Sequence, residues 1–160
     1  MWFMNKIANP LVKLILLSPF HGLMSASVLI LTYRGCRSGK EYMLPVQYVQ
    51  DGNNLFIVPG DAEKKTWWRN FKDGLDVLLR LKGQFLSGCG ILIEYEANAE
   101  EIIKGLGLYF QRFPLSAKIY KVRIGLDGQP NPADLLDAAK TIKMIRVKLN
   151  DWENHKIAIG

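Results

Sequence analysis

The chain is short of the residues that carry most covalent and metal chemistry. Its 160 residues include two cysteines, Cys36 and Cys89, and two histidines, His21 and His155. The cysteines lie far apart with no ligand-like spacing, which excludes a disulfide framework and a zinc site and suits a reducing cytosol. Neither histidine stands in a nucleophile pattern, so a Ser/His or Cys/His dyad is not expected, and no metal is. Acid is scarce too: 15 Asp and Glu face 21 Lys and Arg, a net charge of +6. That excess favours anionic partners such as phosphates, acidic cofactor tails or anionic lipid. From Ile102 to Leu126 there are five cations (Lys104, Arg112, Lys118, Lys121, Arg123) and no acid. This run reads either as a solvated helical face or as an anion-facing rim. Nucleic acid is a poor fit, because the aromatics are not interleaved with the basic residues. A clean membrane span is also missing. Leu14 to Tyr33 is uncharged, but Ser18-Pro19 and His21-Gly22 interrupt it and its last third is β-branched. The reading is a cytoplasmic protein without a signal peptide, with peripheral membrane contact left as the alternative.

What is present describes one folded domain over residues 1–160. Hydrophobic content of 49% and charged content of 22% are ordinary for a packed core. Asn9-Pro10 opens a helix that Ser18-Pro19 closes, within an N-terminal helical segment 1–26, and a short turn covers Phe20 to Met24. Strands are expected over 27–33, 41–50, 55–58, 75–82, 84–96 and 142–149. The last loses its alternation near Ile145-Arg146, which suggests a β-bulge. Pro45 cannot donate to a ladder and marks an edge, a bulge or an opening. Gly88 and Gly90 share a strand face and leave room for a backbone, a helix or a flat ligand. Asn98 to Glu101 resembles a capping box, Pro114 ends the helix it opens, and Asn131-Pro132 starts another, so 97–140 forms a helical insertion. About six mostly antiparallel strands with peripheral helices make an α+β, mainly β chain: a split β-barrel.

Three elements could share one pocket. Gly35-Cys36-Arg37-Ser38-Gly39-Lys40 combines two glycines, two cations and a hydroxyl, and suits a phosphate or serves as a plain solvated turn. The strand around Pro45, Val46 and Gln47, with the strand end Val58-Pro59-Gly60, offers main-chain groups to the edge of a planar heterocycle. Trp67-Trp68-Arg69-Asn70 sets aromatic bulk beside a cation and an amide. Adjacent helical positions point about 100° apart, so one tryptophan faces the core and the other a pocket or solvent.

In this order and spacing the residues resemble the deazaflavin-dependent nitroreductase family of the FMN-binding split-barrel group. The resemblance rests on Leu29 to Thr32, Gly35 to Gly39, Pro45-Val46-Gln47-Tyr48, Asp51-Gly52 and Trp67 to Phe71, and covers about residues 9–96. It implies an oxidoreductase that binds coenzyme F-420, an anionic deazaflavin, and passes hydride to a quinone- or nitro-type acceptor. It places the cofactor phosphate against Arg37, Ser38, Gly39 and Lys40. The ring would lie along Pro45, Val46 and Gln47 toward Val58, Pro59 and Gly60, bordered by Trp68 and Asn70. Tyr48, Tyr109 and solvent are the candidate proton donors, and the assembly is left open, with a homodimer as one option. The chain departs from the family pattern at Cys36, where an arginine is usual, and at Gly60 to Lys64, which carries acids. FMN is therefore the alternative cofactor, and a non-catalytic flavin or haem carrier the alternative function.

Overall fold

In the computed structural model, which describes residues 26–150, seven strands form one antiparallel sheet. They are β1 (Val28–Arg34), β2 (Glu41–Gln47), β3 (Val49–Asp51), β4 (Asn54–Ile57), β5 (Leu75–Leu81), β6 (Gln84–Ile93) and β7 (Met144–Leu149). A 3-10 turn, Trp67–Phe71, precedes β5. Helices α1 (Tyr95–Arg112), α2 (Pro114–Ile119) and α3 (Pro132–Ala139) lie between β6 and β7. The expected helix at 9–18, the turn at 20–24 and both histidines fall outside the described residues.

The strand order is β2-β1-β5-β6-β7-β4-β3. Its two outermost members, β2 and β3, are separated in the chain by Tyr48 alone. A sheet whose opposite edges are joined by one residue has to curl on itself, and this curl makes the split barrel. The expected single strand over 41–50 is thus two, because the chain leaves β1 as partner and joins β4 at Tyr48. Tyr48 N–H donates to the Ser27 carbonyl at that bend.

Alternation sorts the side chains into two cores. Leu29, Leu31, Leu55, Ile57, Val77, Leu79, Ile145 and Val147 fill the barrel. Phe56, Val58, Ile93 and Met144 face outward and pack under Ile102, Leu106 and Phe110 of α1. The expected bulge in β7 is absent: Ile145, Arg146 and Val147 pair in unbroken register with both β4 and β6. Arg146 is the polar residue on the helix-facing side, and its Nη1 donates to Glu101 Oε1 of α1 at 2.8 Å. The face at Gly88 and Gly90 is likewise filled by protein. A Cβ at Gly88 would meet the Lys148 carbonyl at 2.6 Å, and one at Gly90 the Phe71 ring at 2.8 Å.

Local signals set the helix ends. Asn131 Oδ1 accepts from the N–H groups of Ala133 and Asp134 ahead of Pro132, a side-chain cap on α3. Asn98 keeps non-helical angles inside α1, so the run begins at Tyr95 and kinks at the expected cap.

Candidate functional site

The pairing of β3 with β4 ends at Val49 opposite Phe56. Continuing that register would set Gln47 against Val58 and Pro45 against Gly60. The chain makes no ladder there, and a cleft of about 880 Å³ opens between these same residues. Leu44, Pro45, Val46 and Gln47 form one wall, and Val58, Pro59 and Gly60 the other. A proline on each wall removes a donor the ladder would need, a local reason for the barrel to split at this place. The volume lies within the roughly 300–1,000 Å³ typical of small-molecule sites.

Around these walls stand Asp61 to Lys65, Trp67, Tyr109 of α1, Ser116, Ile119 and Tyr120, and Thr141 to Lys143 ahead of β7. Lys143 is paired with Glu94. Tyr109 Oη donates to Gln47 Oε1 at 3.1 Å and so ties the helix to the cleft wall. Burial pushes the Tyr109 hydroxyl up to about 12, with Tyr120 adding to the rise. It therefore holds its proton throughout the neutral range. Burial also raises Tyr120, with the Asp61 carboxylate as a second cause.

The tryptophan that lines the cleft is Trp67. Trp68, the one expected there, is 8% exposed and sits in the barrel core, where its indole N–H donates to the Ala62 carbonyl at 3.0 Å. Trp67 belongs to an aromatic column. Its ring lies 6.5 Å from that of Tyr33, which stacks on Tyr42 at 5.5 Å, and Tyr42 Oη bonds Ser38 Oγ at 3.0 Å. The column runs from cleft to basic turn.

Arg37, Ser38, Gly39 and Lys40 are all exposed and do not line the cleft. Gly39 takes φ of +65°, and its N–H closes the turn on the Gly35 carbonyl at 2.9 Å. Leu44 lies four steps of extended chain beyond Lys40, about 13 Å. Asn70 does not line the cleft either. Its Oδ1 accepts from Cys36 N–H at 2.9 Å and its Nδ2 donates to the Trp67 carbonyl at 2.8 Å, so it joins the basic turn to the tryptophan turn. Tyr48 is placed elsewhere, against a separate cavity of about 230 Å³ with Gln50, Lys82, Leu108 and Arg112. Burial raises its hydroxyl to about 12, while Arg112 pulls the other way.

Leu44, Lys65, Ser116, Ile119, Tyr120 and Thr141 to Lys143 join the site without having been singled out in the sequence. The resemblance pointed to the tryptophan pair and chose its other member. Nothing local marks 141–143, which reach the cleft only because β7 lies between β6 and β4.

A sequence family described as F420H(2)-dependent quinone reductase matches residues 19–105, more than half of the chain. The chain belongs to that family. A curated relative from Mycobacterium tuberculosis (strain ATCC 25618 / H37Rv) is named "Putative F420H(2)-dependent quinone reductase Rv3178" and is 34% identical over 56 residues. That stretch is 33% of this chain and 47% of the relative, so the match spans about half the relative's length. Among solved structures, one titled F420-H2 dependent reductase (FDR-A) aligns with TM-score 0.53 at 16% identity, over 76% of this chain and 94% of its own. Another, described as a domain-swapped dimer, aligns with TM-score 0.53 at 17% identity, over 76% and 80% of the two chains. Both share the split-barrel fold.

Proposed function

We propose that the protein binds coenzyme F-420 in the cleft between β2 and the end of β4 and reduces a quinone-type acceptor there. The observation that carries this reading is the opened pair of strand edges, lying within the stretch that matches the quinone reductase family.

The residues fit the cofactor. Two prolines and Val46 give flat apolar walls, Trp67 closes one end, and the facing strand edges offer main-chain groups to a heterocycle's polar rim. Lys64 and Lys65 border the cleft, while Arg37 and Lys40 lie along the β2 strand from it, cations for a phosphate and an acidic tail. When bound, the reduced deazaflavin supplies the hydride. Gln47 orients the ring edge and is held by Tyr109, whose Oη keeps a proton for the reduced acceptor. Trp67 is a half-buried aromatic lining of the cleft, and the exposed Ile119 stands at its mouth. Asn70 positions the basic turn and touches neither reactant. Asp61 and Glu63 favour a neutral acceptor over an anionic one on their side of the cleft.

The same reading takes the protein as cytoplasmic, working at a bilayer surface where quinones dissolve, and as a homodimer. Fluorescence titration with F-420 and separately with FMN, followed by turnover with a water-soluble quinone, tests it. Saturable F-420 binding with quinone-dependent oxidation is the expected result. FMN-only turnover assigns the alternative cofactor, and binding without turnover assigns a carrier; either overturns the proposal.

A further inference from the structure

Helix α2 has only Ala117 fully buried and turns Leu115 and Ile119 outward, 80% and 77% exposed. These two aliphatics stand four residues apart and so share one side of the helix. Ile119 belongs to the cleft wall as well as to this exposed pair, so the apolar patch and the cleft mouth are continuous. Lys118 and Lys121 are exposed beside them, and among the described residues neither enters an ion pair. The other cations of the acid-free run are occupied. Lys104 pairs with Asp51, Arg123 with Asp134, and Arg112 donates to Ser27 Oγ. Unpaired positive charge on this run therefore gathers at α2. Across the mouth, Lys64 and Lys65 add two cations against Asp61 and Glu63. Exposed aliphatic tips flanked by lysines are what an anionic lipid surface recognises: the tips enter the acyl boundary and the ammonium groups meet the phosphates.

We propose that α2 is the edge by which this protein docks on an anionic bilayer, with Leu115 and Ile119 inserted and Lys118 and Lys121 at the headgroups. The cleft mouth is thereby set at lipid level, and a bilayer-dissolved acceptor reaches it past Ile119 without crossing water. The inference rests on the quinone reading above, and its test is separable from that reading.

The full chain is floated with phosphatidylcholine vesicles, with and without phosphatidylglycerol, beside the variant Leu115→Ser/Lys118→Glu/Lys121→Glu. None of these three side chains lines the cleft, and all are exposed, so folding and turnover of a short water-soluble quinone should match the parent. The parent should bind only the vesicles containing phosphatidylglycerol. The variant should lose roughly tenfold or more of that partitioning, as expected for reversing two cations at a charged surface. Its turnover of a long-chain quinone held in the vesicles should fall in parallel. Vesicle binding by the variant equal to the parent's, carried for instance by the uncharged sequence from Leu14 onward that precedes β1, overturns the proposal, and so does failure of the parent to bind. Loss of vesicle binding alongside an absence of all quinone turnover in both proteins would leave α2 as a lipid-docking edge and sink only the quinone reading.

Discussion

Cys36 and Asn70, 34 residues apart in sequence, are bonded twice: Cys36 N–H donates to Asn70 Oδ1 at 2.9 Å, and the Cys36 thiol to the Asn70 carbonyl at 3.4 Å. With Asn70 Nδ2 on the Trp67 carbonyl, these contacts fasten the cationic turn to the residues that carry the cleft tryptophan. The basic turn and the aromatic end of the cleft are thus tied to each other directly.

Asn70→Ala removes both side-chain bonds and should cost about 1–2 kcal/mol of stability. Affinity for F-420 should fall with it, since the turn loses its anchor. Asn70→Asp keeps the acceptor for Cys36 N–H and should recover much of the loss. Urea melts and fluorescence titrations check both.

The double substitution Arg37→Ala/Lys40→Ala leaves the fold unchanged, because both side chains are exposed. Binding of F-420 should weaken about tenfold, the value of a lost charge-assisted contact partly open to water. The remaining affinity should depend less on salt. Titrations at two ionic strengths decide, and parent-like affinity would show that the anion sits elsewhere.

Burial pushes the hydroxyls of both Tyr48 and Tyr109 up from their ordinary 10.0 to about 12. Folding favours the protonated phenol, so this stabilisation is complete below pH 10 and is lost as pH rises from about 10 to 12. Unfolding midpoints should stay level into mildly alkaline solution and drop across that window. Tyr109→Phe should flatten the drop, lower turnover and free Gln47, whereas Tyr48→Phe should flatten it without touching the cleft. Alkaline melts followed by ultraviolet absorbance of tyrosinate make the measurement.

Gly105 sits where α1 crosses the sheet, and a Cβ there would meet Met144 Sδ at 2.8 Å and Phe56 Cδ1 at 2.9 Å. Phe56 is 2% exposed and has no room to yield. Overpacking of about 1–3 kcal/mol should outweigh the roughly 1 kcal/mol that alanine gains in helix propensity, so Gly105→Ala lowers the melting temperature. A melting temperature above the parent's would contradict the close helix–sheet approach.

Much of this architecture was legible because it is written in short-range pattern. Apolar patterning marked six strand segments, with β2 and β3 read as one, while Asp51-Gly52 and Gly83 marked the hairpin turns and Asn131-Pro132 marked α3. The walls of the cleft were also legible: Pro45, Val46, Gln47, Val58, Pro59 and Gly60 all line it. Other features were not. The break at Tyr48 has no local signal, since alternation runs unchanged from Tyr42 to Val49 and only the change of partner strand divides it. Helical spacing showed that Trp67 and Trp68 diverge, but which one meets the cleft depends on the Ala62 carbonyl and the Tyr33 ring. The suspected bulge at Ile145-Arg146 was a misreading of Arg146, whose outward position is satisfied by Glu101 across the helix interface.

By itself the chain determined most of its strands, its turns, its surplus of positive charge and the positions of two prolines that cannot donate to a ladder. These depend on neighbours within a few residues, where backbone sterics and side-chain type suffice. The tertiary structure alone decided that the two failing edges face each other, that Asn70 couples the cationic turn to Trp67, and that α2 brings Ile119 to the mouth. Such relations join residues far apart in the chain, and they exist only after the sheet has curled and two packed cores have set its curvature.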